Sequence, residues 1–404
     1  MAININAKTT GVGGLETSAD NSGNINIQSG GTTVMSVTSS GVAVTGSFSQ
    51  NGAVYSTQPT FRNLIINGDM RIDQRNTGSA VTVNANSVFF PVDRFHAVGV
   101  GSAGVFTAQQ VSDSPDGGDK SLKFTVTTTA ASGAYRFHYN IEGNHIAHLG
   151  FGQSWAKTFT LSFWVKSSVT GTYTGSFRNS ANDRSYVFEY TIDASNTWER
   201  KTITITADTS GTWLTDNGSG LKIVWALANA LTTTAGSWQS GNYFASANQT
   251  NWIATSGATF YISQIQLEIG EGASDFEFLP YDVQLQRCQR YYYRLYDTAS
   301  GGNGRMIGTA FMWSTTAIRT FVTFPVTMRD LPSVESSNFT DAFSAYISSV
   351  AKYLPSLDVA FSGAESTRGC LVSGTITVEA TSGDSGYIRF NSTSGAKLAF
   401  SAEL

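Results

Sequence analysis

The sequence predicts an all-β chain: short N-terminal shaft strands, a central jelly-roll or β-sandwich, a short linking helix and a C-terminal β-sandwich. Three observations carry this. Hydrophobic residues alternate with polar ones over run after run, which is the signature of strands with one buried and one solvated face. Turn residues separate the runs, and Gly alone supplies 40 of the 404 residues. Only one segment carries apolar residues at helical spacing.

The first 60 residues hold very short alternating pieces: Ile25 and Ile27, then Val34, Met35 and Val37, then Val42 and Val44. Strands this small bury too little to stand alone, so residues 1–60 are expected to intertwine with copies of themselves or dock on a partner, as a shaft or attachment segment. Residues 61–281 show the clearest alternation. Phe159, Leu161, Phe163 and Val165 share one face, as do Tyr186, Phe188, Tyr190 and Ile192, and Leu221, Ile223, Trp225 and Leu227. Leu122, Phe124 and Val126 form an earlier strand, and Tyr135, Phe137, Tyr139 and Ile141 another. The series predicts two packed sheets. Between Phe260 and Ile269 the phase slips from even to odd positions, which predicts a β-bulge near Ser263 and Gln264. After Pro280 and Tyr281, Asp282 is placed to cap a helix carrying Val283, Leu285, Cys288 and Tyr292, within a linking segment 282–294. Strands resume over 295–404, with Ile307, Phe321 to Phe324, Ile376 and Val378, Ile388 and Phe390, and Leu398 and Phe400.

Composition narrows the function. Charged residues make up 13% of the chain, about half of the usual share of roughly 25%, so polarity comes from hydroxyls and amides. Apolar residues at 41% and aromatic ones at 12% argue against disorder. A formal net charge of -4 offers no excess of positive charge for a phosphate backbone or an anionic membrane surface. The N-terminus lacks a signal-peptide core and no run approaches the about 18 apolar residues of a membrane helix, so the product is expected to be cytosolic when made. Cys288 and Cys370 cannot frame a disulfide scaffold and read as buried thiols.

Motifs for chemistry are weak. Gly99 to Gly104 matches a dinucleotide fingerprint as a string, but the residues after it read as a strand, and the motif needs a helix there. No phosphate-cradling or nucleophile-elbow motif is found. His145 and His148 lack further zinc ligands nearby. Asp113, Asp116 and Asp119 flank Pro115 and Gly117–Gly118, which suit an ordinary turn better than a calcium loop. No cofactor, metal or catalytic residue is assigned, although paired carboxylates can lie far apart in sequence. Two groups are candidates for carbohydrate binding. Trp164 falls on the solvated face of its strand, and Arg136, His138 and Asn140 on that of theirs, which suits stacking on a sugar ring beside hydrogen-bonding groups. Trp238, Asn242, Tyr243 and Trp252 form an aromatic and polar loop. For each group the plainer reading is that the aromatics pack against protein.

Asn63-Leu-Ile-Ile-Asn-Gly-Asp-Met70, Gln74-Arg75 and Val92-Asp-Arg-Phe95 resemble the opening of the carbohydrate-binding-like domain of tailed-phage tail fibres. Later blocks follow in that family's order: Leu161-Ser-Phe-Trp-Val-Lys166, Trp198-Glu-Arg-Lys-Thr-Ile203, Gln266-Leu-Glu-Ile-Gly270, Phe278-Leu-Pro-Tyr281 and Cys288-Gln-Arg-Tyr-Tyr292. Met328-Arg329, Pro332 and Ser401-Ala-Glu-Leu404 are similar to its C-terminal portion, so the resemblance runs from about residue 61 onward. It implies a homotrimeric virion protein, joined to other tail or baseplate proteins through its N-terminal segment, with its sandwich domains displayed toward a bacterial surface glycan or receptor. It also implies that Cys288, Trp164 and Trp198 are scaffold residues. Jelly-roll modules of this kind often hold a structural calcium with an Asp in the last strand; Ser263 stands at that place here. Host attachment through non-catalytic glycan binding is the leading expectation. A connector joining the tail to another adhesin and a polysaccharide depolymerase are the alternatives.

Overall fold

The computed structural model describes residues 3–7, 15–19, 25–29, 32–38, 41–44, 48–50, 53–55, 60–84, 87–101, 104–297, 306–337, 343–348, 350–355, 357–360, 367–376, 380–390 and 397–404. Val378 lies outside them. The chain divides into two compact units, Met1–Arg62 and Asn63–Leu404. In the first, Ile3–Ala7 lies between an antiparallel Leu15–Ala19 and a parallel Ile25–Ser29. Two hairpins then continue the sheet, pairing Ile27 with Met35 and Val37 with Val42.

The second unit begins with the predicted two-sheet sandwich. The first sheet runs, in spatial order, Phe95–Val100, Ala134–Glu142, Ser219–Ala226, Gly171–Arg178, Arg184–Ile192 and Trp238–Ser240. The second runs Glu199–Thr206, Thr158–Ser167, Thr259–Ile269, Ser121–Thr128, Val105–Val111 and Val81–Val83. The alternating residues named above meet between the sheets. Phe124 stacks on Phe137 at 4.9 Å, Phe137 on Trp225 at 5.0 Å, and Phe163 meets Trp225 edge-on at 5.9 Å. Burying such rings provides most of the driving force, at roughly 25 cal/mol per Å² of apolar surface removed from water. The bulge is present. Ser162 pairs with Gln266 but Trp164 pairs with Ser263, so extra residues of the Thr259–Ile269 strand loop out where Gln264 takes a left-handed φ of 49°.

Val105–Val111 follows the glycine string as a strand, with no helix to aim at a pyrophosphate. The predicted linking helix spans Tyr281–Gln289. Asp282 sits in its first turn rather than capping it, since Pro280 occupies the cap position without a side-chain bond. Tyr292 lies beyond the helix, at the start of the Tyr292–Asp297 strand. That strand joins Lys397–Ser401 and Ser333–Ser337 in a three-stranded sheet. A seven-stranded sheet built around Met306–Met312, Ala317–Thr323 and Ser385–Phe390 packs on it through Phe324, Phe343, Phe390 and Phe400.

Blocks far apart in sequence converge where the sandwich meets this C-terminal part. Gln74 donates to Asp93 and to the Tyr292 carbonyl at 2.8 Å. Arg75 pairs with Glu335 at 2.7 Å and lies 3.5 Å over the Tyr292 ring. Arg94, fully enclosed, pairs with Glu403, donates to the Asn140 carbonyl and stacks 3.5 Å over Tyr291. Arg290 and Tyr291 both donate to Glu142, at 2.6 Å and 2.7 Å. Arg329 donates to the carbonyls of Ala402 and Glu403. These residues therefore fasten the chain's last strand and tail to the sandwich, and their charge is paired rather than offered to solvent.

Candidate functional site

After the Ala134–Glu142 strand the chain makes one α turn, Gly143–Ile146, and one 3-10 turn, Ala147–Leu149. Ile146 and Leu149 anchor it in the core. Gly150 ends it with φ 71°, and Gly152 follows with φ 76°; both lie in the left-handed region that only glycine enters without strain. The loop is pinned by Gly152 N–H to the Asp208 carbonyl at 2.7 Å and by Lys157 N–H to the Leu149 carbonyl at 2.9 Å. Trp155 lies directly on Gly150: a Cβ there would meet the indole at 2.5 Å. Even so, Trp155 is 55% exposed.

Residues 211–215 form the facing wall. Trp213 packs on Phe151 at 4.3 Å and bonds the Ser210 carbonyl at 2.9 Å. Between the walls is a cleft of about 370 Å³, lined by Trp155, Phe151, Trp213, Gln153, Thr212 and Thr215 among others. No Asp or Glu lines it. The arrangement suits a ring with a flat apolar face and hydroxyls at its edge: the indole takes the face, and the amide and hydroxyls take the edge.

The residues singled out in the sequence fall differently. Trp238 supports this cleft from behind, meeting Trp213 edge-on at 5.5 Å and bonding the Thr206 carbonyl at 2.9 Å. Trp164 is half-buried on the outer face of the second sheet. Arg136, His138 and Asn140 lie on the outer face of the first, so the sandwich separates them from Trp164. The expected juxtaposition of these four is thus corrected: alternation sorts inward from outward positions but does not say which sheet a strand joins. Trp252 is corrected too. It is 0% exposed and plugs the core against Phe106 at 6.0 Å, leaving no face for a ligand. Asn242 is exposed and accepts a hydrogen bond from Arg178, while Tyr243 is half-buried with its N–H on Ser185 Oγ at 3.1 Å. Sequence reasoning did not single out Trp155. The signal available for it was a Trp in a Gly-rich polar loop, at Gly150-Phe-Gly-Gln-Ser-Trp155.

A second cleft, about 510 Å³, is lined by Glu189, residues 232–235 and residues 246–248. Its one carboxylate accepts from Ser246 Oγ and from Asn248 Nδ2 at 3.1 Å. Ser263 donates to the Lys120 carbonyl at 2.6 Å. Asp113 of the acidic turn pairs with Lys166 and accepts from the Trp198 indole at 3.2 Å. The carboxyl of Asp93 is pushed up to about 7 by burial, but it is wholly enclosed and bonded to Gln74.

No protein-family model matches the chain, and no curated protein matches it. Solved structures do. The enzymatically active domain of tailspike protein 4 from bacteriophage CBA120 is 12% identical, with a TM-score of 0.30, over 52% of this chain and 22% of that one. The module TmCBM61, solved with β-1,4-galactotriose, is 13% identical with a TM-score of 0.27, over 52% of this chain and 99% of that one. A family 11 carbohydrate-binding module of Clostridium thermocellum is 15% identical with a TM-score of 0.25, over 48% of this chain and 98% of that one. The chain thus spans about a fifth of the tailspike structure's length.

Proposed function

We propose that this protein is a non-catalytic glycan-binding component of a phage tail, a homotrimeric tail fibre that attaches the virion to a bacterial surface polysaccharide. The observation that carries the glycan half is Trp155, an exposed indole held over Gly150 in a cleft whose other groups are an amide, two hydroxyls and further aromatics. The virion half rests on the ordered sequence blocks from Asn63 to Leu404 that resemble tail-fibre chains, and on an N-terminal segment of short strands suited to assembly. Three chains displaying one weak site each gain avidity on a repeating polymer without any further contact.

The test is adsorption of the purified chain to glycan arrays and to host cells, with sedimentation to count chains. Binding to one class of glycan, weakened by Trp155→Ala, is the expected result; a folded trimer that adsorbs to no glycan and no cell overturns the attachment role. A connector role is favoured by one observation. Phe311, Trp313 and Phe321 stand exposed on the seven-stranded sheet, with Arg319 lying 4.1 Å over the Trp313 ring, and such a patch is suited to burial by another protein. Imaging of the assembled particle separates the two: a connector has this face covered by a different virion protein.

A further inference from the structure

On the outer face of the first sheet three cations gather apart from the face's carboxylates, since Glu189 is held by Ser246 and Asn248 and Glu142 by Arg290 and Tyr291. Cross-strand register aligns Asn140, Lys222, Arg178 and Ser185 in one row, and Arg136 and His138 stand beside it. Arg136 Nε donates to His138 Nε2 at 2.7 Å, so this imidazole is a neutral acceptor. Lys222 Nζ donates to the Ser180 carbonyl and to Asn182 Oδ1, both at 3.0 Å. Arg178 Nη2 donates to Asn182 Oδ1 at 2.7 Å and to the Asn242 side-chain oxygen. Among the described residues the hydrogen-bond partners of these three cations are therefore all neutral, and none of the three belongs to an ion pair.

Burial makes that unusual. Arg178 is 3% exposed, and among the described residues its Nε has no hydrogen-bond partner, nor has the buried Asn140 Oδ1. The guanidinium groups of Arg136 and Arg178 both lie over the Phe244 ring, 4.2 Å and 4.3 Å from its centre. Burial lowers Arg136 to about 10, and burial with the charge of Arg136 lowers Arg178 to about 10. Lys222 is lowered by burial and by Arg178. His96 is pushed down to about 3, and His138 well below its ordinary value, by burial and by the surrounding cations. A buried cation normally keeps a carboxylate beside it, because an unpaired buried charge loses its hydration without compensation. Here amide oxygens hold the positions that a carboxylate would fill.

We propose that this face binds an oxyanion, the carboxylate or phosphate of an acidic polysaccharide, between Arg178 and Lys222, with the exposed Asn242 yielding its place on Arg178. Choosing a polysaccharide as the carrier rests on the glycan reading above; the oxyanion does not. Arg136, over the same Phe244 ring as Arg178, adds charge, and Asn182 stays as the shared acceptor that fixes the two donors in register.

The full chain is titrated by calorimetry and thermal melting with sodium phosphate, with glucuronate, with a polyuronate, with a phosphate-bearing polysaccharide and with a neutral glucan, each against sodium chloride of equal ionic strength. Phosphate or glucuronate is expected to raise Tm above the chloride control, and the matching polymer to bind at least as tightly. Lys222→Gln and Arg178→Gln are each expected to weaken that binding tenfold or more. Lys222 is only partly buried, so its variant keeps the test open if Arg178→Gln does not fold. No effect of either small anion beyond chloride, or an unchanged Kd in Lys222→Gln, overturns the site. Binding of the small anion with no binding of either polymer overturns the polysaccharide as carrier. Neutral-glycan binding is read in the same series, so a chain that holds phosphate but no neutral glycan keeps this site while losing the Trp155 reading.

Discussion

Trp155 and Trp252 make opposite demands on stability. Replacing Trp252 with alanine removes a core plug and is predicted to cost about 3–5 kcal/mol in denaturant unfolding. Replacing Trp155 with alanine changes an exposed surface residue and is predicted to stay within about 0.5 kcal/mol of the parent. The ligand readout reverses the order: loss of a central aromatic contact is worth about 2 kcal/mol, or roughly thirtyfold in Kd. If Trp155→Ala unfolds the protein as badly as Trp252→Ala does, the indole is scaffold and the cleft has lost its argument. At this scale the sequence shows burial better than exposure. Phe159, Leu161, Phe163 and Val165 are all in the core because alternation dictates a face. Trp155 is open because two loops happen to converge, and Trp252 is hidden for the same kind of reason. The Gly-rich polar residues before Trp155 mark it as a loop position, but the convergence of the two loops is not written there, and nothing adjacent to Trp252 marks its burial.

Among the elements, the 147–157 loop is the one that turns sequence into a site. Its left-handed Gly150 has φ 71° and supports the indole. Gly150→Ala is predicted to cost about 1–2 kcal/mol from backbone strain alone and to swing Trp155 off its seat. A shift in tryptophan emission together with weakened glycan binding is the expected pair of signals; unchanged emission with unchanged affinity contradicts the seating. Strands, the bulge opposite Ser162–Trp164 and the Tyr281–Gln289 helix were all legible from periodicity and phase. Sheet membership was not. Trp164 and Arg136 read as neighbours on an outer surface, and the pairing of their strands puts them on opposite sides of the sandwich.

Across the second unit, the polar junction ties the C-terminal tail to the sandwich. Glu403→Gln leaves Arg94 enclosed without its anion, and the predicted loss is about 3–5 kcal/mol. Glu142 gives a junction test with a sign. Burial pushes its carboxyl up, but the bonds from Arg290 and Tyr291 more than offset that and hold it down to about 2. Its folded value is thus below its ordinary 4.5, so its contribution is fully present above about pH 4.5 and is lost as pH falls toward 2. Glu142→Gln is therefore predicted to lower Tm at neutral pH, by an amount equivalent to about 2 kcal/mol given the partial exposure of Arg290, with the gap from the parent closing on acidification. A gap that stays constant from pH 6 to pH 2 contradicts this. Motif blocks such as Gln74-Arg75 and Cys288-Gln-Arg-Tyr-Tyr292 were visible in the sequence; that they meet at one junction was not, since their partners lie up to 328 positions away.

Glycan attachment through the Trp155 cleft is the claim on which the functional account turns. It is tested most directly by the affinity of the parent chain and of Trp155→Ala for surface polysaccharide isolated from a host that the parent adsorbs to. The account predicts saturable binding by the parent, roughly thirtyfold weaker in the variant, with equal melting temperatures. Equal affinity in the two proteins, or no binding by a folded parent, contradicts it.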